Sequence, residues 1–229
     1  MSVEVNGILV AAHELKAPLS LMRQLALSLE LAPAKDQSRI KSQLVGVSER
    51  ALRQVNDLTK IARLEEGLFV MEPVSVRGVC ESVWREISEL YRFEGRQLRP
   101  IYANRQKLAI ANRDLLYSVI YNFCANALHY SDTEIASQLS VRDYHGQIRV
   151  SVRDFGPALP FKIWQNLHSR SLEQPTDIVM RPGSSGLGLY IASQFSRHMH
   201  AKIGAIRHRD GTSFFIDLPI SKQASLWPV

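Results

Sequence analysis

The sequence predicts an α+β protein in two domains. An antiparallel helical hairpin forms a dimeric four-helix bundle, and an α/β sandwich with a mixed, largely antiparallel sheet follows it. Three observations carry this reading. Two apolar stripes step by four and three through the first 62 residues; alternation of period two appears within 139–154 and again within 202–218; and a helical pattern sits between these blocks over 112–130.

In the first stripe Ile8, Ala12, Leu15, Leu19, Met22, Ala26 and Leu29 form an a/d seam. In the second, Ile40, Leu44, Val47, Ala51, Val55, Leu58 and Ala62 do the same. A short turn at Leu31–Asp36, holding Pro33, joins them into a hairpin over 1–67. One hairpin is too thin to bury both stripes, so pairing with a second copy, a homodimer, is expected; packing of the hairpin on its own second domain is the alternative. The heptads stop at Glu65-Glu66-Gly67, and residues 68–74 read as an extended link in which Pro73 ends the helix.

The second domain is expected over 75–220. It starts with an amphipathic helix over 75–92, with Val76, Val79, Val83, Ile87 and Leu90 on one face. A strand follows near Leu98–Tyr102, then a helix to Tyr130 capped by Asn112. Leu139–Tyr144 and Gln147–Asp154 make a hairpin about His145-Gly146. Residues 155–185, rich in Gly and Pro, read as one long loop with a helical turn near Trp164, and loops of that length are usually functional lids. A helix from Gly188 to His198, two strands at 202–207 and 213–218, and a frayed tail over 221–229 complete the chain.

Composition excludes several classes. Of the 229 residues 45% are hydrophobic and 22% charged, so the chain is globular rather than disordered. It has no apolar run long enough to span a bilayer and no signal-peptide start, so no membrane contact is expected within it. Cys80 and Cys124 read as buried thiols in a reducing, cytoplasmic setting. The net charge of +6 suits nucleic acid, an acidic protein surface or phosphate ligands; the basic residues are scattered, which argues against nucleic acid.

Chemistry concentrates in four places. His13 and Glu14 precede Pro18 inside a helical repeat, and a proline there bends the helix beside the imidazole. Asn122 and Asn126, spaced i,i+4, share a helix face, and their carbonyl oxygens suit Mg²⁺; solvated or capping side chains are the plain alternative. His129 and Tyr130 end that helix within reach of phosphate or a purine. Asp154-Phe155-Gly156 leaves a strand, so its carboxylate can accept from an adenine amino group, though an Asx-type turn explains the same letters. Gly186-Leu187-Gly188 runs into a helix whose free N–H groups favour phosphate, with Arg181, Lys162 and Arg170 in the loop before it. It is no P-loop, because Lys is missing after the last glycine. Zinc at His198 and His200, and nucleophilic roles for Ser184 or Ser185, lack supporting context.

Taken in order, His-Glu-x-x-x-Pro-Leu, Asn-x-x-x-Asn-Ala-x-x-Tyr-Ser, Asp-x-Gly, Gly-Leu-Gly-Leu and Gly-Thr-Ser-Phe resemble the catalytic core of two-component sensor histidine kinases over about residues 6–220. The resemblance implies a dimerisation and histidine phosphotransfer hairpin followed by a catalytic ATP-binding domain of the gyrase–Hsp90–histidine kinase–MutL type. It makes His13 the phosphoacceptor and Glu14 its acidic helper. Asn122 and Asn126 become the Mg²⁺–phosphate residues, Asp154 the adenine reader, and Gly156, Gly186 and Gly188 the shapers of the pocket and lid. It also implies ATP as phosphoryl donor, an aspartate on a response regulator receiver domain as recipient, and a membrane or soluble sensor upstream in a longer parent.

Three residues depart from the family pattern. Ala17 stands where Thr or Asn positions the water that dephosphorylates the partner, so weak phosphatase activity is expected. His129 replaces Lys or Arg, so its phosphate contact should weaken as pH rises. Ala158 replaces a second glycine after Asp154, which stiffens that loop. A degenerate kinase, acting as a nucleotide-binding dimeric signalling scaffold, is the rival these departures support.

Overall fold

A computed structural model describes residues 2–103, 107–131, 135–159, 161, 164–165 and 186–223, with side chains from Leu15 onward. Helix α1 (Ser2–Leu31) is continuous with Pro18 inside it. It turns through Pro33 (φ −57°, ψ 148°) into α2 (Ala34–Ala62). The turn is tied by Asp36 N–H to Pro33 O at 2.9 Å and by the Gln37 amide to Ala32 O at 3.2 Å. A 3₁₀ turn, Leu64–Glu66, and left-handed Gly67 end the hairpin. Leu19, Leu27, Leu31, Val45 and Leu52 are more than half exposed, so much apolar surface of the two helices is uncovered within one chain.

The second part follows as β1 (Glu72–Val74), α3 (Val76–Phe93), β2 (Leu98–Tyr102), β3 (Ala109–Ala111), α4 (Arg113–Tyr130), β4 (Ser137–Tyr144), β5 (Gln147–Arg153), α5 (Leu187–His198), β6 (Lys202–His208) and β7 (Gly211–Pro219). The five-stranded sheet runs β2-β4-β5-β7-β6, with β2 parallel to β4 and every other pair antiparallel. Local signals explain the helix starts. The Ser75 hydroxyl accepts from Gly78 N–H at 3.2 Å, and Asn112 Oδ1 accepts from Asp114 and Leu115 N–H, both at 3.1 Å. His145 and Gly146, at φ 45° and 76°, make the two-residue β4–β5 turn.

Two findings differ from the sequence reading. Part of the expected link, Glu72–Val74, is a strand paired antiparallel with β3. At the other end Ser221 N–H bonds Leu108 O at 2.8 Å, so the chain stays against the domain past residue 220.

Helices α3, α4 and α5 cover one face of the sheet. Val83, Ile87, Leu116, Phe123 and Phe195 pack there with Leu139, Val150 and Ile216, all essentially inaccessible. On the opposite face Arg149 lies directly across from Asp217 and bonds it through Nε (2.6 Å) and an Nη (2.7 Å). The Tyr144 and Phe215 rings lie 3.4 and 3.8 Å from its guanidinium carbon. Burial works against this charge, but the Asp217 carboxylate outweighs it and holds the guanidinium above its ordinary pKa. Replacing Asp217 with Ala leaves that cation buried and unpaired, at an expected loss of about 3–5 kcal/mol. The Arg149→Leu/Asp217→Leu pair should recover most of it in urea denaturation.

Candidate functional site

Helix α4 supplies the backbone of the site. Asn122, Asn126 and Tyr130 recur every four residues, so they form one stripe about 12 Å long at 1.5 Å rise per residue. The structure brings one glycine-bearing segment to each end of this stripe.

At the first end, Asn122 Nδ2 donates to Ser118 O at 2.9 Å and to Asp57 Oδ2 at 3.5 Å. Both partners are acceptors, so the network assigns the amide nitrogen to that side. Oδ1 then faces Gly188, where a Cβ would stand 3.1 Å from it. Gly186, left-handed at φ 72°, precedes Leu187 at the start of α5, and its carbonyl accepts from Tyr190 N–H at 3.0 Å. A carboxamide oxygen thus meets a glycine-bearing helix start, and the N–H groups and partial positive charge of such a terminus suit phosphate. Asn122 and its helical neighbour Asn126 offer hard oxygen donors and therefore fit a divalent cation of the Mg²⁺ type.

At the second end, Asp154 is buried just past β5. Its Oδ1 accepts from Gly156 N–H and Thr212 N–H, both at 3.1 Å, while its own N–H donates to Thr212 O at 2.9 Å. The Asx-type turn weighed above is therefore formed. Thr212 Oγ1 also accepts from Leu159 N–H at 3.2 Å, which fixes the chain leaving the turn. Gly156 packs so closely on the end of α4 that a Cβ would lie 1.9 Å from Tyr130 O. Gly211 (φ 138°) lies equally close to Asp154 O, where a Cβ would come within 2.1 Å. Only glycine fits either place.

His129 is exposed and meets Tyr130 edge-on, with ring centroids 4.8 Å apart. Burial pushes the Cys124 thiol up and the Cys80 thiol well above its usual range, which leaves both unreactive beneath the site. His13 and Glu14 lie on α1, but their side chains fall outside those described; Lys162, Arg170, Arg181, Ser184 and Ser185 lie outside the described residues altogether.

Three residues were missed by sequence reasoning. Asp57 and Lys60 of α2 and Ser118 of α4 form a cluster against Asn122, with Asp57 and Ser118 buried and Lys60 half-buried, and a separation of 61 positions between Asp57 and Ser118 leaves no local signal. Thr212 was visible only as a letter of a motif. A cleft of about 1060 Å³ between α2 and α3, lined by Arg53, Asp57, Lys60, Ser82 and Glu86 among others, contains none of the expected nucleotide residues.

Residues 111–222 match the family model described as histidine kinase-, DNA gyrase B- and HSP90-like ATPase. Among curated relatives, the histidine protein kinase SaeS of Staphylococcus aureus (strain USA300) is 23% identical over 214 residues, covering 90% of this chain and 61% of SaeS. The chain therefore spans about three fifths of that relative. Full-length ShkA in complex with AMPPNP superposes with a TM-score of 0.63 at 21% identity, over 92% of this chain and 47% of ShkA. The histidine kinase ThkA in complex with the response regulator protein TrrA gives 0.62 at 17%, over 93% of this chain and 61% of the matched chain. The likeness to both structures is one of fold.

Proposed function

We propose that this chain, a two-component sensor kinase catalytic region with an ATPase domain over residues 111–222, is an ATP-dependent histidine autokinase that acts as a homodimer. One observation carries the reading: the Asn122–Asn126–Tyr130 stripe is met at one end by Gly188 and at the other by Gly156 and Asp154. Three separated sequence motifs thereby meet along one helix, over a length that suits a nucleoside and its phosphates.

Asp154, held through Oδ1 by two backbone N–H groups, presents a fixed carboxylate to an adenine amino group. The start of α5 receives phosphate oxygens on its N–H groups. Asn122 and Asn126 would hold Mg²⁺, which when bound would offset charge on the phosphates. An imidazole nitrogen of His13 attacks the γ-phosphorus in line while the bond to the bridging oxygen breaks, and ADP leaves with that electron pair. Glu14 holds the proton on the other ring nitrogen and stabilises the imidazolium. The phosphoryl group then passes to an aspartate of a response regulator receiver domain, the class of partner that ThkA binds in its complex with TrrA. The uncovered Leu19, Leu27, Val45 and Leu52 support a second copy of the hairpin as the dimer partner. Among the described residues no helix is long and apolar enough to cross a membrane.

The test is incubation of the full chain with γ-labelled ATP and Mg²⁺. Acid-labile, alkali-stable label on the protein is expected. Folded protein that binds nucleotide yet takes no label overturns the autokinase in favour of a scaffold.

Ala17 carries a second expectation. Lying one turn after His13 on α1, it offers no hydrogen bond to a hydrolytic water. Ala17→Thr should raise the rate at which a phosphorylated receiver domain loses its label by about tenfold, less than the 10²–10⁴-fold of a full general base because the Thr hydroxyl only orients the water. An unchanged rate removes Ala17 as the cause of weak phosphatase activity.

A further inference from the structure

Asp57 belongs to the phosphotransfer hairpin, yet it is 2% exposed against the ATPase domain. Oδ1 accepts from the Ser118 hydroxyl at 2.8 Å and from Lys60 Nζ at 3.3 Å, and Lys60 also donates to Ser118 Oγ at 3.0 Å. Oδ2 faces Asn122 Nδ2 at 3.5 Å. Lys60 supplies the countercharge and Ser118 the hydroxyl that let a carboxylate sit in so closed a place. Its remaining oxygen is left to one group of the other domain, the Asn122 amide.

That amide has two orientations of nearly equal shape and opposite chemistry. With the nitrogen toward Asp57 and Ser118 O, the oxygen is aimed at Gly188 and the start of α5, and it can ligate a cation. With the amide flipped, an N–H group faces the cation site and an oxygen faces two acceptors. Ser118 O is a backbone acceptor within α4 and is present whatever the hairpin does; Asp57 is present only when α2 is docked. We infer that Asp57 is a positioning residue, supplied by the hairpin, that sets the Asn122 carboxamide in its metal-binding orientation and so couples docking of α2 to the affinity for metal-bound nucleotide. The inference rests on the reading of Asn122 as a Mg²⁺–phosphate residue.

Linkage makes the coupling reciprocal: by the factor that docking tightens metal-bound nucleotide, that nucleotide tightens docking. A hairpin that turns α2 away from α4 then loosens Mg²⁺-bound nucleotide without touching the adenine end. A second contact separates docking from positioning. Arg53, one turn before Asp57, pairs with Glu86 of α3, and its guanidinium carbon lies 3.9 Å from the Tyr121 ring centroid; among the described residues its ion pair and ring contacts are with Glu86, Tyr117 and Tyr121 rather than Asn122.

The experiment is calorimetric titration of the full chain with AMPPNP, once in Mg²⁺ and once in EDTA. The ratio of the two affinities is the readout, and a merely structural role does not move it. Asp57→Asn keeps the volume and removes the charged acceptor; it should cut the ratio about tenfold, the low end for loss of an outer-shell partner of a metal ligand, with affinity in EDTA unchanged. Asp57→Ala should do the same, so the test survives if either variant fails to fold. Arg53→Met loosens docking but keeps Asp57, so it should lower the ratio by less than either Asp57 variant, and added to Asp57→Asn it should lower the ratio no further. An unchanged ratio in a folded Asp57 variant overturns the inference. A further fall when Arg53→Met is added to Asp57→Asn overturns it too, because docking would then act on the ratio without Asp57. Wild-type protein with the same affinity in Mg²⁺ and EDTA would refute the underlying assignment of Asn122, an outcome visible before any variant is made.

Discussion

Replacing His13 with Gln is expected to take label incorporation from γ-labelled ATP to background while AMPPNP binding stays as in the wild type. The two halves of this expectation have separate physical origins. Glutamine keeps length and polarity at the position, but its amide nitrogen is delocalised into the carbonyl and is not a nucleophile at neutral pH. An unprotonated imidazole nitrogen is one, and with an ordinary pKa near 6.5 most of a histidine population is in that form at pH 7. Nucleotide binding is unaffected because its proposed residues sit on α4, α5 and the β5 exit, held by contacts that do not involve His13. The assay separates the outcomes cleanly: residual acid-labile label in His13→Gln means a different acceptor, whereas loss of both label and binding means a folding defect. Glu14→Gln is the companion variant, and label should fall but not vanish, since a neutral amide oxygen still accepts a hydrogen bond from the ring N–H without stabilising the imidazolium.

Short-range signals were legible in the sequence, and long-range ones were not. Asn112 capping α4, the His145-Gly146 turn and the amphipathic face of α3 are each decided within a few residues, and each lies where expected. Strands β1 and β3 escape notice because three residues cannot display an alternation, and Pro73, expected to end the helix, sits in a strand opposite Ile110. Arg149 and Asp217 occupy the outward register of their strands, and alternation assigns such positions to water. They are buried because Tyr144 and Phe215 close over the guanidinium, which only the assembled sheet can do. The site follows the same rule. Asn122, Asn126 and Asp154 stood out by spacing and residue type. Asp57 is, by sequence, one more polar residue between stripe positions Val55 and Leu58, and nothing within α2 distinguishes it from Asn56.

Gly156→Ala is expected to damage the site far more than Gly188→Ala or Gly46→Ala, through geometry alone. The new methyl carbon would lie 1.9 Å from Tyr130 O and 2.8 Å from Tyr130 C, and both are backbone atoms that cannot rotate aside. Either the end of α4 or the turn after β5 must give way. Backbone on α4 is pinned by its own helix and by the Arg96 guanidinium on Leu128 O, so the turn moves. That withdraws the Gly156 N–H from Asp154 Oδ1 and lets the carboxylate swing. Overpacking of this kind should cost about 1–3 kcal/mol in stability. Losing one charge-assisted hydrogen bond at the adenine reader should weaken AMPPNP binding about 10- to 100-fold. Gly46→Ala is the natural control. Its Cβ would meet only Leu90 Cδ1, at 3.8 Å, and α2 gains helix propensity, so stability should hold or rise slightly with binding unchanged. Gly188→Ala falls between, since its Cβ would press on the Asn122 side chain at 3.1 Å, a contact that a small amide rotation relieves. Binding should therefore fall in the order Gly46, Gly188, Gly156, with the Gly188 loss confined to Mg²⁺-containing buffer. If Gly156→Ala binds AMPPNP as tightly as the wild type, then the carboxylate of Asp154 is not what reads the base.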